Sequence, residues 1–147
     1  PTEMQAAFGL EQLNRLRVFT EGRRQVFRRL YDFFKNYERY FVLPAMLPRT
    51  NINWLAFPLT IGDKAPFTRK QLVKYLEDHK IQTRPLFSGN ITKQPAYRNI
   101  KYRSVGNLKN SQKIMERAFL IGAHHGLTAE MVDYIKEIFS RFLSENI

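Results

Sequence analysis

Between Leu16 and Tyr37 the residues Leu16, Phe19, Val26, Phe27, Leu30, Phe33, Phe34 and Tyr37 recur at the helical period. No other feature restricts the chain as strongly. The spacing lines one side of a helix with aromatic and aliphatic groups, and such a stripe needs a second layer to bury against. Gly22 falls on the polar side of the pattern. A glycine there costs roughly 1 kcal/mol against alanine, too little to break the helix. Upstream, Thr2 and Gln5 read as a capping box and Glu3 complements the helix dipole. A separate first helix is therefore expected to run to about Leu16. Its apolar residues lie on more than one side, with Met4 and Phe8 apart from Ala6, Leu10 and Leu13. Residues 1–16 thus read as a helical arm with surplus apolar surface for a partner, and residues 17–147 as a small domain.

Within that domain, Tyr40 to Ile52 reads as a connection. Asn53 to Ile61 is apolar and aromatic and predicts a strand, which Pro58 pushes toward a sheet edge or a strand end. Thr68 and Gln71 form a second capping box, with Phe67 and Leu72 as its hydrophobic staple. The helix they start carries Leu72, Val73 and Leu76 inward and ends near His79. Ile81 to Phe87 predicts a second strand. Asn110 is the expected cap of a short helix carrying Ile114, Met115 and Ala118. Phe119 to Gly122 is short and fully apolar, hence a central strand. Thr128 caps a last helix with the stripe Met131, Ile135, Ile138, Phe139 and Phe142. The expected fold is α/β of the α+β kind: about three short strands in a sheet, with helices on one face.

The chain holds 24 Lys and Arg against 13 Asp and Glu, a formal charge of +11. That balance invites a nucleic-acid reading, but no recognition motif accompanies it, and net charge sets nonspecific affinity rather than function. The basic residues are better read as solvated helix faces, and nucleic acid is not the expected partner. No cysteine is present, which excludes disulfides, zinc-thiolate sites and iron–sulfur ligation within the chain. No apolar run has bilayer length, and the opening residues read as an amphipathic helix rather than a secretory signal. A cytoplasmic protein is expected, and the abrupt opening at Pro1-Thr2 reads as a piece of something longer.

Catalytic constellations are hard to assemble. No strand is followed by a glycine-rich phosphate loop, and no serine sits in a nucleophile elbow. His124 and His125 are adjacent and His79 is distant, so a metal site lacks spaced ligands. They read as a connector, one ring stacked on the domain and the other in solvent. Glu77, Asp78, Asp133 and Glu137 read as surface pairing partners. The loop Gln82–Asn99 is the remaining candidate. Arg84 offers a planar fork for carboxylate or phosphate, and Asn90 after Gly89 offers an amide on an unusual backbone. Ser88-Gly89-Asn90 reads equally well as a plain turn, and the residues alone leave the two readings open.

A resemblance extends these readings. Thr2-Glu3-Met4-Gln5-Ala6-Ala7, Gln12-Leu13 and Arg23-Arg24 resemble the segment after the cofactor domain in the DegT-type family of nucleotide-sugar aminotransferases and dehydrases. "HKIQTRPLF" is similar to that family's helix end and strand before a sugar-facing loop. "FSGNITKQPAY" and "AFLIGAHHGLTAEMVDYI" look more like its 3-dehydrase branch, typified by CDP-4-keto-6-deoxyglucose 3-dehydrase of lipopolysaccharide dideoxysugar synthesis. The family consists of fold-type I pyridoxal-phosphate enzymes. The resemblance implies that this chain is the small C-terminal domain, inert alone, with the cofactor-binding large domain upstream. PMP/PLP, and in the dehydrase branch an iron–sulfur cluster, are implied for the full-length protein and not for this chain. The helical arm is implied to sit at the large-domain and homodimer interface. Substrate contacts are implied for Arg84, Phe87 and Asn90, and more loosely for His124 and His125. Lys at the upstream Schiff-base position would mean transamination, and His dehydration.

Overall fold

A computed structural model describes residues 2–50 and 52–147. The first element is one helix, α1 (Glu3–Phe34), 32 residues long, opened by the Thr2/Gln5 capping box. The expected break near Leu16 is absent. Nothing between residues 14 and 20 breaks the helix: there is no proline or glycine, Asn14 and Thr20 sit inside it without ending it, and apolar side chains recur at helical spacing. Its two halves differ in burial instead. Met4, Phe8, Leu10, Leu13, Leu16 and Val18 are exposed, whereas Val26, Phe27, Leu30 and Phe34 lie in the core.

A turn of 3-10 helix (Lys35–Tyr37) leads to β1 (Phe41–Val42), then β2 (Ala56–Ile61) and α2 (Arg69–Asp78). β3 (Thr83–Pro85), α3 (Lys109–Arg117), β4 (Ala118–Gly122) and α4 (Ala129–Asn146) complete the chain. The sheet is antiparallel in the order β1-β2-β4-β3, so β4 is interior as its apolar run requires. The fourth strand, β1, lies in the stretch expected to be only a connection. Two residues are too few for a period to register, and only pairing with Thr60 and Ile61 defines them as a strand. Pro58 sits inside an interior strand, yet β1 reaches only Thr60 and Ile61, so no strand partner waits for the missing N–H on that side.

Alternation along β2 turns Phe57, Leu59 and Ile61 to one face, where they meet Phe119 and Ile121 of β4 and the apolar stripes of α1, α2 and α4. The core is built on aromatic contacts. Phe34 stacks on Phe57 at 5.4 Å and meets Phe139 edge-on at 4.9 Å, and Phe67 meets Phe142 edge-on at 5.1 Å. Both staple residues of α2, Phe67 and Leu72, are buried in it. In α4 the buried set is Val132, Ile135, Ile138, Phe139, Phe142 and Leu143. Met131, expected in the stripe, is exposed instead, because it faces an open cavity rather than the core.

Asn110 is not the cap of α3. Asn107 Oδ1 accepts from the Lys109 N–H at 3.1 Å, and Leu108 between them takes a left-handed conformation. Asp63, in the turn after β2, holds α3 through Lys113 Nζ at 2.8 Å and through Arg117. The hydrogen bond from Lys113 comes first among the interactions that hold the Asp63 carboxyl below its usual range.

Candidate functional site

β3 sorts its residues by period two. Thr83 turns inward and is buried. Its N–H and its hydroxyl both donate to Glu77 Oε1 of α2, at 2.6 and 2.8 Å. Those bonds, the hydroxyl's first, hold the Glu77 carboxyl below its usual range, and the charge of Arg84 adds to the effect. Glu77 is therefore the anchor of an edge strand rather than one more surface pairing acid. The others pair as expected: Asp78 with Lys74, Asp133 with Arg29 and Lys136, Glu137 with Arg141.

Arg84 follows Thr83 and so faces the opposite way, toward the sheet face that the aromatic core does not cover, in register with Leu120. Its guanidinium is held in two places. Nη1 donates to the Thr83 carbonyl at 2.9 Å. With the Gln82 amide turned so that its oxygen faces Arg84, that oxygen accepts from Nη2 at 2.6 Å and Nη1 at 3.2 Å. Exposed yet oriented, Arg84 keeps donors for an anionic ligand.

The loop beyond β3 resolves the ambiguity at Ser88-Gly89-Asn90. Asn90 is 5% exposed, and its amide is engaged inside the chain. Oδ1 accepts from the Thr92 N–H at 3.2 Å and the Thr92 hydroxyl at 2.7 Å, while Nδ2 donates to Gln112 Oε1 at 3.3 Å. Asn90 caps the following turn, Ile91–Lys93, and ties it to α3. Gly89 makes that approach possible: at φ +58 its backbone lies so near Met115 that a Cβ there would stand 2.4 Å from the Met115 Cβ. Phe87, at φ +50, is 87% exposed and projects from the loop.

The two histidines lie edge-on to each other at 6.4 Å but make different further contacts. His125 stacks on Phe19 of α1 at 4.0 Å, and Gly22 leaves room for it, since a Cβ on Gly22 would lie 3.0 Å from the His125 Cβ. Gly22 thus serves a close contact, not the solvent side of its helix. His124 lies on the other side of the connector. Its Nδ1 accepts from the Gly126 N–H at 3.1 Å, which leaves the proton of the neutral ring on Nε2. It lines a cavity of about 540 Å³ between Lys80–Gln82, which lead into β3, the turn after β4 and the start of α4. Gln82, Leu127, Glu130, Met131 and Ile135 share that lining.

Arg84, Gln82 and His124 are therefore linked, with Gln82 common to the guanidinium and the cavity. Phe87 stands apart on its loop, Asn90 is buried and engaged within the fold, and His125 stacks on α1 while remaining exposed. Sequence reasoning passed over Gln82. The period of two in a strand that carries Arg84 was the available signal. The cavity does not fit pyridoxal phosphate: Lys80 is the one cation in its lining, which also holds the Glu130 carboxylate, and no cluster of phosphate-holding donors accompanies it. No reaction step is assigned to it.

Residues 2–140 match the DegT/DnrJ/EryC1/StrS aminotransferase family. Over 145 residues the chain is 40% identical to the lipopolysaccharide biosynthesis protein RfbH of Salmonella typhimurium, covering 99% of this chain and 33% of that protein. It is 37% identical over 145 residues to dTDP-4-dehydro-2,6-dideoxy-D-glucose 3-dehydratase of Saccharopolyspora spinosa, covering 99% and 31%. The structure of E. coli GDP-4-keto-6-deoxy-D-mannose-3-dehydratase with bound hydrated PLP matches with a TM-score of 0.83 at 28% identity, over 94% of this chain and 35% of that one. The chain spans about a third of the length of the curated relatives it matches.

Proposed function

The chain belongs to the DegT/DnrJ/EryC1/StrS aminotransferase family, and from that premise we propose that it is the substrate-closing C-terminal domain of a PMP/PLP-dependent nucleotide-sugar 3-dehydrase. The observation that carries the reading is the 37% identity, along 99% of the chain, to a nucleotide-sugar 3-dehydratase. The 40% identity to a lipopolysaccharide biosynthesis protein supports a role in making dideoxysugars of that polymer, in the cytoplasm. The cofactor supplies the chemistry at the sugar carbon and is held by another part of the protein. This domain contributes binding and orientation. Arg84, held by Gln82 and the Thr83 carbonyl, takes an anionic or hydroxyl-rich part of the substrate. Phe87 covers it from the loop, and His124 bounds it on the other side. Asn90 and His125 act one step back, Asn90 by holding the loop and His125 by seating its connector on α1.

The exposed half of α1 supports an interface role. Met4 and Phe8 lie on one side, Leu13 and Leu16 on another, and all are exposed. The cofactor-binding large domain and a second copy of the protein are the proposed occupants. By itself the chain is inert.

The test uses the full-length enzyme. Arg84→Ala should raise KM for the nucleotide sugar while leaving cofactor absorbance unchanged. An unaltered KM would remove Arg84 from the site. A sugar aminotransferase is the second reading, favoured by the family's own description. His at the upstream Schiff-base position supports dehydration, and Lys there would replace the first reading with the second.

A further inference from the structure

We propose that the cavity between Lys80–Gln82, the turn after β4 and the start of α4 receives the nucleobase of the nucleotide sugar, an inference that rests on the functional reading above. Its volume, about 540 Å³, lies within the range of small-molecule sites, roughly 300–1,000 Å³. Its walls are mainly apolar, from Leu127, Met131 and Ile135. Lys80 and Glu130 carry opposite charges, so the lining is close to neutral. Such a pocket repels neither a flat apolar ring nor its carbonyl edge. A phosphate would find one cation opposed by a carboxylate. A sugar would set its hydroxyls against carbon on most sides and lose hydrogen bonds to water without replacing them.

The polar groups on the rim match the edge of a base. His124 presents Nε2–H, because Nδ1 is committed to the Gly126 N–H. Gln82 spends its carbonyl oxygen on Arg84, which leaves its amide NH2 as a donor. Glu130 supplies an acceptor. Lys80 adds a third donor, and Tyr134, whose hydroxyl proton goes to the His79 carbonyl, adds a second acceptor. Donors and acceptors together suit a pyrimidine or guanine, whose ring carbonyls accept and whose ring N–H or amino group donates. Gln82 also sets the direction of the rest of the ligand. Arg84 is two residues along the strand, about 7 Å away. A base at Gln82 thus brings the phosphates that follow it to the exposed guanidinium.

The experiment titrates cytidine, thymidine, guanosine and inorganic pyrophosphate into the chain, followed by methyl and amide NMR. One nucleoside, with no phosphate to attract the basic surface, should shift Leu127, Met131 and Ile135 and saturate. Met131→Trp fills the cavity from an exposed position that the core does not use, and should weaken nucleoside binding at least roughly tenfold without touching pyrophosphate binding. His124→Ala, also exposed, should weaken it as well. Arg84→Ala should weaken pyrophosphate binding and spare the nucleoside. The proposal is overturned if nucleosides leave the cavity residues unmoved at millimolar concentration, or if Met131→Trp binds them unchanged. Should that happen while Arg84→Ala still raises KM in the full-length enzyme, the base assignment falls and the substrate-closing role stands. If KM is unmoved too, Arg84 leaves the site along with the base assignment.

Discussion

Replacing Gly89 with alanine should loosen the whole loop that follows β3, and the cost can be worked out from its surroundings. Gly89 has φ +58, and a Cβ there would stand 2.4 Å from Met115 Cβ, 2.6 Å from its Cα and 2.9 Å from its N. Two terms follow. An L-residue held in the left-handed region costs about 1–2 kcal/mol. The second term is overpacking against the backbone of α3, which no rotamer change can relieve, at about 1–3 kcal/mol. The sum is about 2–5 kcal/mol, a large share of a small domain's stability. Gly106 separates the two terms. It also has positive φ, +74, but a Cβ there would meet nothing within 4 Å. Gly106→Ala should therefore show the backbone term alone. Urea unfolding followed by far-UV circular dichroism, with the m-value checked for constancy, measures both variants against the parent chain. The Gly89→Ala midpoint should fall well below that of Gly106→Ala. If the two variants are equally destabilised, the close approach to Met115 has no energetic weight, and the argument that Gly89 is what lets Asn90 reach α3 is refuted.

The other expectations concern the same loop, the edge strand and the arm. Asn90→Ala removes the cap of the Ile91–Lys93 turn and strands the Thr92 and Gln112 groups, so unfolding free energy should drop by about 1–2 kcal/mol; unchanged stability would return Asn90 to the list of free substrate ligands. Glu77 has a depressed carboxyl pKa in the fold, so its contribution is present above the unfolded value near 4.5 and is lost as pH falls through the folded one. Glu77→Ala should accordingly be less stable than the parent at neutral pH, with the gap closing in acid; a gap that is constant with pH would mean that the charged carboxylate is not what Thr83 holds. Gly9 meets nothing within 4 Å in an exposed stretch of α1, so Gly9→Ala should raise helix stability by about 1 kcal/mol in the isolated chain. In the assembled enzyme the same change should impair assembly if a partner packs closely there, which size-exclusion chromatography of the full-length variant reads directly.

Much of the fold follows from short-range features, and those were legible. The two capping boxes at Thr2 and Thr68, the staple at Phe67 and Leu72, and the period of α4 are set by residues within two turns of one another. Such signals survive reading along the chain because their physics is local. β4 was equally clear, since a short apolar run with no polar alternation needs cover on both sides. The family, too, was within reach of the sequence, through its Thr2–Ala7, Gln12-Leu13 and Arg23-Arg24 pattern and the runs around Arg84 and His124.

What the tertiary structure decided is which partners distant residues find. β1 exists only through Thr60 and Ile61, and Pro58 is tolerated inside the sheet only because β1 stops short of it. Asn90 looked like a surface amide until Gly89 brought it against α3, 22 residues away from Gln112 in sequence. His124 and His125, adjacent in sequence and edge-on to one another, line a cavity and stack on α1 respectively because the turn after β4 gives each ring different neighbours. A periodicity or a cap fixes an element by the energies of near neighbours. Burial of an amide, or the space a glycine leaves, depends on the approach of backbones far apart in the chain, and no local signal carries that information.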